Sequence, residues 1–118
     1  MNKLLKLQSW LAGLGKDYTL DGLKKLKWLD LSRNSLTVVP PELSELKKLE
    51  YLDLGRNSLT TLPTELTELK KLKSLWLEDN PLTIIEGSEE YKFVEKYNHD
   101  MSQFNIIPDT KIAKILYL

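Results

Sequence analysis

Leucines recur along this chain at spacings that fit neither one stripe of a helix nor the strict alternation of a hairpin strand. From Leu26 they occupy positions 1, 4, 6 and 11 of a 23-residue unit, and the same pattern returns from Leu49 and from Leu72. Because no single period persists through the unit, we predict a short strand followed by a turn. One unit cannot bury its own leucines, so the copies are expected to stack, with their strands forming a parallel sheet over a continuous core.

The copies are also close in sequence. Residues 26–48 read LKWLDLSRNSLTVVPPELSELKK, residues 49–71 read LEYLDLGRNSLTTLPTELTELKK, and 16 of the 23 positions are identical. A third copy begins as LKSLWLEDNPLTII. This Leu-x-x-Leu-x-Leu-x-x-Asn-x-Leu frame resembles the leucine-rich repeat family, whose units run from about 20 to 29 residues. The resemblance implies an α/β fold: a short right-handed, parallel-strand horseshoe segment of a solenoid, with N- and C-terminal capping helices.

The turn after each strand carries an asparagine at the same position. Asn34, Asn57 and Asn80 are predicted to stack into a buried column, because an amide side chain can donate to and accept from backbone groups that have left the sheet. Later in each of the first two units, leucine pairs three residues apart predict one short turn of helix: Leu43 with Leu46, and Leu66 with Leu69. The third unit departs from this pattern after Ile85.

Both ends of the stack need a cover with one polar face. At the N-terminus a stripe of leucines with helical spacing, interrupted by Gly13 and Gly15, predicts a capping helix; the stripe comprises Leu4, Leu7, Leu11 and Leu14. Downstream, Ser88 is expected to cap a second helix with acidic residues in its first turn and an inward face of Tyr91, Val94 and Tyr97.

We expect a loop at 100–105 after this second helix, and a final helix or strand at 109–118. The whole chain, 1–118, is predicted to be a single leucine-rich repeat domain. Residues 1–25 would form the N-terminal cap and a partial repeat, residues 26–48, 49–71 and 72–87 the repeats, and residues 88–118 the C-terminal cap.

Composition and charge narrow the range of partners. The chain has 17 basic and 17 acidic residues and no cysteine. A chain with equal numbers of basic and acidic residues lacks the excess of positive charge that is typical of nucleic-acid-binding proteins. The apolar run at the N-terminus is too short and too interrupted to serve as an export signal or to span a membrane. Many secreted members of the resembling family have cysteine-rich caps. We therefore expect a cytoplasmic protein that binds neither nucleic acid nor membrane, with secretion without a leader sequence as the alternative. We also expect a monomer.

The inventory of chemical groups argues against an enzyme. His99 is the single histidine, and it stands beside Asp100 in KYNHD. Catalysis needs a base aligned with a nucleophile, and a metal site needs three or four converging ligands. Neither constellation is visible, so His99 is interpreted as a surface loop residue. No catalytic function, metal or cofactor is predicted.

The frame does predict which side chains lie on the open, concave face of the sheet. The third and fifth positions of each unit point away from the inward leucines because strand side chains alternate, and the eighth position adds a rim. The candidate binding residues are Trp28, Asp30, Arg33, Tyr51, Asp53, Arg56, Ser74, Trp76 and Asp79.

Two interpretations of this face remain open. Exposed Trp, Tyr and Arg are enriched at binding hot spots, which favours a protein–protein interaction module that binds a protein or peptide through this face and its rims. Alternatively, the rings stack on one another, and the chain is a structural or self-associating scaffold, natural or designed, with no specific external ligand. Diagonal Asp–Arg pairs are expected to relieve the repetition of like charge on neighbouring strands.

Overall fold

The structure is a computed structural model and describes residues 2–109. Its first helix, α1 (Lys3–Gly13), begins where the Asn2 side chain accepts a hydrogen bond of 2.7 Å from the Leu4 N–H. It ends in a Schellman motif: the Lys16 N–H donates to the Leu11 carbonyl and the Gly15 N–H to the Ala12 carbonyl. Gly15 has a φ of +79°, the left-handed conformation for which glycine carries no Cβ penalty. The predicted leucine stripe is confirmed, since Leu7 and Leu11 are fully buried.

A short helix, α2 (Leu20–Lys25), connects α1 to the first repeat, and the Thr19 side chain caps it. Three strands then recur at the predicted spacing: β1 (Trp28–Asp30), β2 (Tyr51–Asp53) and β3 (Ser74–Trp76). They form one parallel sheet in the order β1-β2-β3. Equivalent residues of successive units pair, so the parallel, in-register arrangement predicted from the frame is confirmed.

The strand ladder continues into the turns. Leu31 N–H donates to the Asp53 carbonyl at 2.8 Å, and the Arg33 N–H donates to the Gly55 carbonyl at 3.1 Å. Behind the sheet, the leucines of all three units join one core cluster with Leu7 and Leu11 of α1. The predicted helical turns are 3₁₀ helices, Pro41–Glu45 and Thr64–Glu68. Apart from the half-buried Leu26, every leucine of the repeat frame is buried.

The third unit turns differently from the first two. It has a strand, β4 (Thr83–Ile85), and then α3 (Glu89–Tyr97), which Ser88 caps by accepting a hydrogen bond from the Tyr91 N–H. Val94 is fully buried, and Tyr91 and Tyr97 pack half-buried against the core. The predicted helix start and inward face of α3 are thus confirmed.

The loop predicted at 100–105 is wrong in part. The structure has a 3₁₀ helix, Met101–Gln103, followed by β5 (Asn105–Ile107), which pairs in parallel with β4. Ile84 pairs with Ile106, an offset of 22 residues that is close to the repeat period. A segment without the leucine frame therefore occupies the place next to β4 where another unit would pair. The predicted final element, 109–118, lies outside the described residues apart from Asp109.

Candidate functional site

The open face of the three-stranded sheet has two rows of side chains. Strand pairing aligns Trp28 with Tyr51 and Ser74 in the first row, and Asp30 with Asp53 and Trp76 in the second. The central residue of each strand points to the core, and all six of these side chains are exposed or half-buried. The structure thus brings together on one face the residues predicted from the third and fifth positions.

Three aromatic rings form a cluster across this face, which we call the aromatic cluster: Trp28, Tyr51 and Trp76. The Trp28 ring centroid lies 5.1 Å from that of Tyr51 and 5.8 Å from that of Trp76, and both pairs are tilted. Trp28 therefore contacts a ring that belongs to a strand two places away. Stacking does not hide it, because Trp28 remains 56% exposed and Trp76 36% exposed. The rings stabilise one another and still present a large apolar surface.

The two aspartates of the second row are held by the turns that follow their strands. Asp30 Oδ1 accepts from the Ser32 N–H at 2.9 Å and from the Ser32 hydroxyl at 2.6 Å, and Asp53 Oδ1 accepts from the Gly55 N–H at 2.9 Å. The Ser32 hydroxyl, then the Ser32 N–H, and more weakly Lys16 and Arg33, lower the pKa of Asp30. Asp30 is therefore a fixed anion beside the aromatic cluster.

Glu78 is a face residue that the sequence reasoning missed. A Cβ built on Gly55 would lie 2.8 Å from Glu78 Oε1 and 3.1 Å from Asp53 Oδ1, so both carboxylates approach the same glycine. The alternation that selects positions three and five also selects position seven, occupied by Ser32, Gly55 and Glu78. Extending the pattern by one step would have found this third carboxylate.

The rim residues Arg33, Arg56 and Asp79 all have positive φ angles, between 54° and 60°. They occupy the left-handed position of the turn, which is uncommon for residues other than glycine. Arg56 Nε lies 3.3 Å from Asp79 Oδ2. The expectation of diagonal Asp–Arg pairs is wrong for residues 2–109: Arg56 pairs along the rim, and the strand aspartates accept from their own turns.

Another ion pair, which was not predicted, lies where β2 and β3 begin. Lys73 Nζ lies 3.1 Å from Glu50 Oε1, and this hydrogen bond raises the pKa of Lys73. The pair precedes β2 and β3, whereas the Arg56–Asp79 pair follows them. Neutralised ion pairs thus flank a centre of aromatic and acidic side chains.

A groove of about 480 Å³ lies away from this face, between the Thr64–Glu68 3₁₀ helix and α3. Leu62, Pro63 and Phe93 provide apolar walls. Glu90 also lines the groove, and its Oε2 lies 3.4 Å from the Thr61 hydroxyl. Partial burial raises the pKa of Glu90, although the contacts with Thr61 and the Leu62 backbone oppose that rise. No candidate residue from the sequence lies here.

His99 is exposed, in agreement with a surface loop residue. The Asp100 carboxylate beside it accepts from the Ser102 N–H and hydroxyl. Within residues 2–109, His, Asp and Glu side chains do not gather in groups of three or more that could bind a metal ion. None of the helices in that range combines the length and apolar character needed to span a lipid bilayer.

Comparison with known proteins agrees with this geometry. The family described as "Leucine rich repeat" matches residues 24–82, half of the chain. The chain belongs to the leucine-rich repeat family. Among solved structures it is similar to a leucine-rich repeat protein of Leptospira interrogans, with 29% identity and a TM-score of 0.50 over 66% of this chain. The similarity covers 25% of that protein, so this chain spans about a quarter of its length. No curated protein matched the chain.

Proposed function

We propose that this chain is a non-enzymatic interaction module that binds a protein or peptide through the open face of its parallel sheet. Members of the leucine-rich repeat family generally mediate protein–protein interaction. The observation that carries the proposal is the aromatic cluster: Trp28 contacts both Tyr51 and Trp76, and within the described residues 2–109 Trp28 stays 56% exposed and Trp76 36% exposed. Clustered, partly exposed Trp and Tyr side chains are typical of interface hot spots.

The proposal includes the architecture that supports this face. We propose a short solenoid in which α1 covers one end and α3 with β5 covers the other, concave on the side of the aromatic cluster. Burial of Leu7 in α1 and Val94 in α3 within the same core as the repeat leucines supports these capping roles. The proposal also retains a monomer in the cytoplasm, which a cysteine-free composition favours.

The size of the face indicates what kind of partner fits. Three strands at about 4.8 Å spacing, each exposing roughly 15–20 Å, offer on the order of 250–300 Å². A stable protein interface uses about 800 Å² per partner. A short peptide segment therefore fits the open face alone, whereas a folded partner would also have to contact the rims.

Selection from a displayed library of random peptides tests the proposal. Bound peptides would be measured against the intact protein and against a Trp28→Ala/Tyr51→Ala/Trp76→Ala variant. We expect the triple variant to lose at least about 30-fold in affinity, the equivalent of one hot-spot side chain. Val38→Ala is the control, because Val38 is 65% exposed and lies outside the sheet. Equal binding by the triple variant and the control would overturn the proposal.

The alternative function is a structural or self-associating scaffold without an external ligand. The contacts of Trp28 with both other rings favour it, because the cluster is stabilised within one chain. Sedimentation over a range of concentrations distinguishes the self-associating form. A concentration-dependent dimer that the triple alanine variant abolishes would support self-association through this face, and a strict monomer would argue against it.

A further inference from the structure

The carboxylates of Asp30 and Asp53 face the same side of neighbouring strands. The two residues are direct partners in the parallel register, and adjacent strands lie about 4.8 Å apart. Like charges at neighbouring positions of a sheet are destabilising. Both side chains use Oδ1 for the hydrogen bonds that hold their turns. Within residues 2–109, Oδ2 of each takes part in no ion pair or hydrogen bond, so both keep acceptor capacity.

The cations of the face are engaged elsewhere or lie at its edge. Arg56 pairs with Asp79, and Lys73 pairs with Glu50. Arg33 and Lys16 act on Asp30 only as the weakest influences on its pKa. Glu78 adds a third carboxylate close to Asp53 across Gly55. The centre of the face therefore has an excess of negative charge that lies directly beside the aromatic cluster.

This combination of groups selects one kind of side chain. A guanidinium group is planar, stacks on aromatic faces and donates in a fork that matches carboxylate oxygens. A lysine ammonium group can approach the carboxylates but cannot form the same fork or stack as a plane. An apolar side chain would cover the rings and leave the carboxylates uncompensated.

On this basis, which rests on the proposed function, we propose that the partner of the open face is a peptide segment containing arginine. Its guanidinium stacks on Trp28 and donates to Asp30 and Asp53 at the end of the aromatic cluster. The negative charge of the paired Asp30 and Asp53 carboxylates and the exposed part of Trp28 both favour binding of the guanidinium group. The carboxylates thus give the face its specificity, and the rings supply apolar contact area.

The test uses peptides selected on the intact protein and an isosteric variant, Asp30→Asn/Asp53→Asn. Asparagine retains a carbonyl oxygen that can accept from the Ser32 and Gly55 N–H groups, so the turns are kept and only the charge is lost. Glu42→Gln/Glu65→Gln is the matched control. These residues occupy equivalent positions of the first two units in the 3₁₀ helices, outside the sheet, and their substitution changes the net charge equally.

We expect arginine to be enriched at one position of the selected peptides. Affinity should fall at least about tenfold in Asp30→Asn/Asp53→Asn and change less than about twofold in the control. Replacing that arginine of the peptide by glutamine should lower its affinity for the intact protein by a similar factor. The affinity of this glutamine peptide should then fall little further when it is measured on Asp30→Asn/Asp53→Asn. A lysine replacement should retain an intermediate affinity.

The possible failures are distinguishable. Peptides that need the aromatic cluster but show no arginine enrichment, or bind the asparagine variant equally well, would overturn this inference and leave the proposed function standing. Absence of any peptide that depends on the aromatic cluster would overturn both. Thermal unfolding of each variant confirms that changes in affinity do not arise from loss of folding.

Discussion

The side-chain carbonyl of Asn57 accepts a hydrogen bond from the backbone N–H of Asn34, 2.9 Å away in the preceding unit. The same oxygen accepts from the Leu36 N–H at 3.0 Å, and the Asn57 amide nitrogen donates to the Leu31 carbonyl at 3.0 Å. It also donates within its own unit, to the Leu54 and Gly55 carbonyls. One side chain therefore adds three hydrogen bonds between two successive turns to the backbone bonds that already join them, from the Arg33 N–H to the Gly55 carbonyl and from the Ser58 N–H to the Leu36 carbonyl.

Replacement of Asn57 by alanine is predicted to destabilise the protein by about 2–3 kcal/mol, because several buried backbone groups would lose their partners. Asn34→Ala is the matched comparison. Asn34 is half-buried, and its side-chain amide donates only to carbonyls of its own turn. We therefore expect Asn34→Ala to lower the free energy of unfolding by about 1 kcal/mol or less. Urea unfolding followed by circular dichroism measures both values. Equal costs for the two variants would contradict the role assigned to Asn57.

The aromatic cluster should contribute modestly to stability. Trp28 contacts two rings and Trp76 contacts one of them, and an aromatic pair is worth about 0.5–1.5 kcal/mol beyond its burial. We predict that Trp28→Ala costs about 1–2 kcal/mol and Trp76→Ala less than about 1 kcal/mol, as measured by urea unfolding. Severe unfolding of the Trp76 variant would show that this ring belongs to the core.

The partial burial of Glu90 makes the stability of the protein depend on pH in a definite direction. Burial raises its pKa above the ordinary value of 4.5, so the folded state binds the proton more tightly than the unfolded state. The resulting stabilisation is fully present below about pH 4.5 and is lost as the pH rises through the folded pKa. Glu90→Gln, which stays neutral, should therefore gain stability relative to the parent as the pH rises above about 4.5 and through the folded pKa.

Glu89→Gln is the control for that measurement. Glu89 lies in the same first turn of α3, but it is exposed and lies 3.4 Å from Lys92 Nζ. Both substitutions remove a carboxylate from the helix N-terminus, and the exposed Glu89–Lys92 pair contributes little to stability, so the difference between the variants reports mainly the burial of Glu90. Unfolding free energies at several pH values should rise with pH for Glu90→Gln relative to Glu89→Gln. A constant difference would contradict the burial of Glu90 in the groove.

The repeat period was enough to predict the sheet and its register. The leucine positions determine which side chains face inward, and the alternation of Trp28, Leu29 and Asp30 then follows from strand geometry. The contact between Trp28 and Trp76 could not be predicted in the same way. It depends on side-chain conformations that span two strands, whereas the frame specifies only backbone position and facing direction.

The end of the repeat array shows the same limit. β5 has no leucine frame, and its pairing with β4 depends on hydrogen bonds such as that from the Asn105 N–H to the Leu82 carbonyl, at 2.8 Å. Backbone pairing of this kind leaves little trace in the pattern of side chains. The expectation that Asn34 is buried failed for a related reason. Asn34 belongs to the first repeat, and among residues 2–109 no repeat strand lies on the outer side of β1 to cover its turn.

The central claim is that recognition occurs on the open face of the sheet. The three tryptophan indole N–H signals in a ¹H–¹⁵N NMR spectrum test it directly, because Trp28 and Trp76 lie on that face and Trp10 lies on α1. Titration with a peptide selected on the intact protein should shift or broaden the Trp28 and Trp76 signals and leave Trp10 unchanged. A shift of the Trp10 signal alone would contradict the account. So would shifts of signals from residues that line the groove between the Thr64–Glu68 3₁₀ helix and α3, if the Trp28 and Trp76 signals stay unchanged.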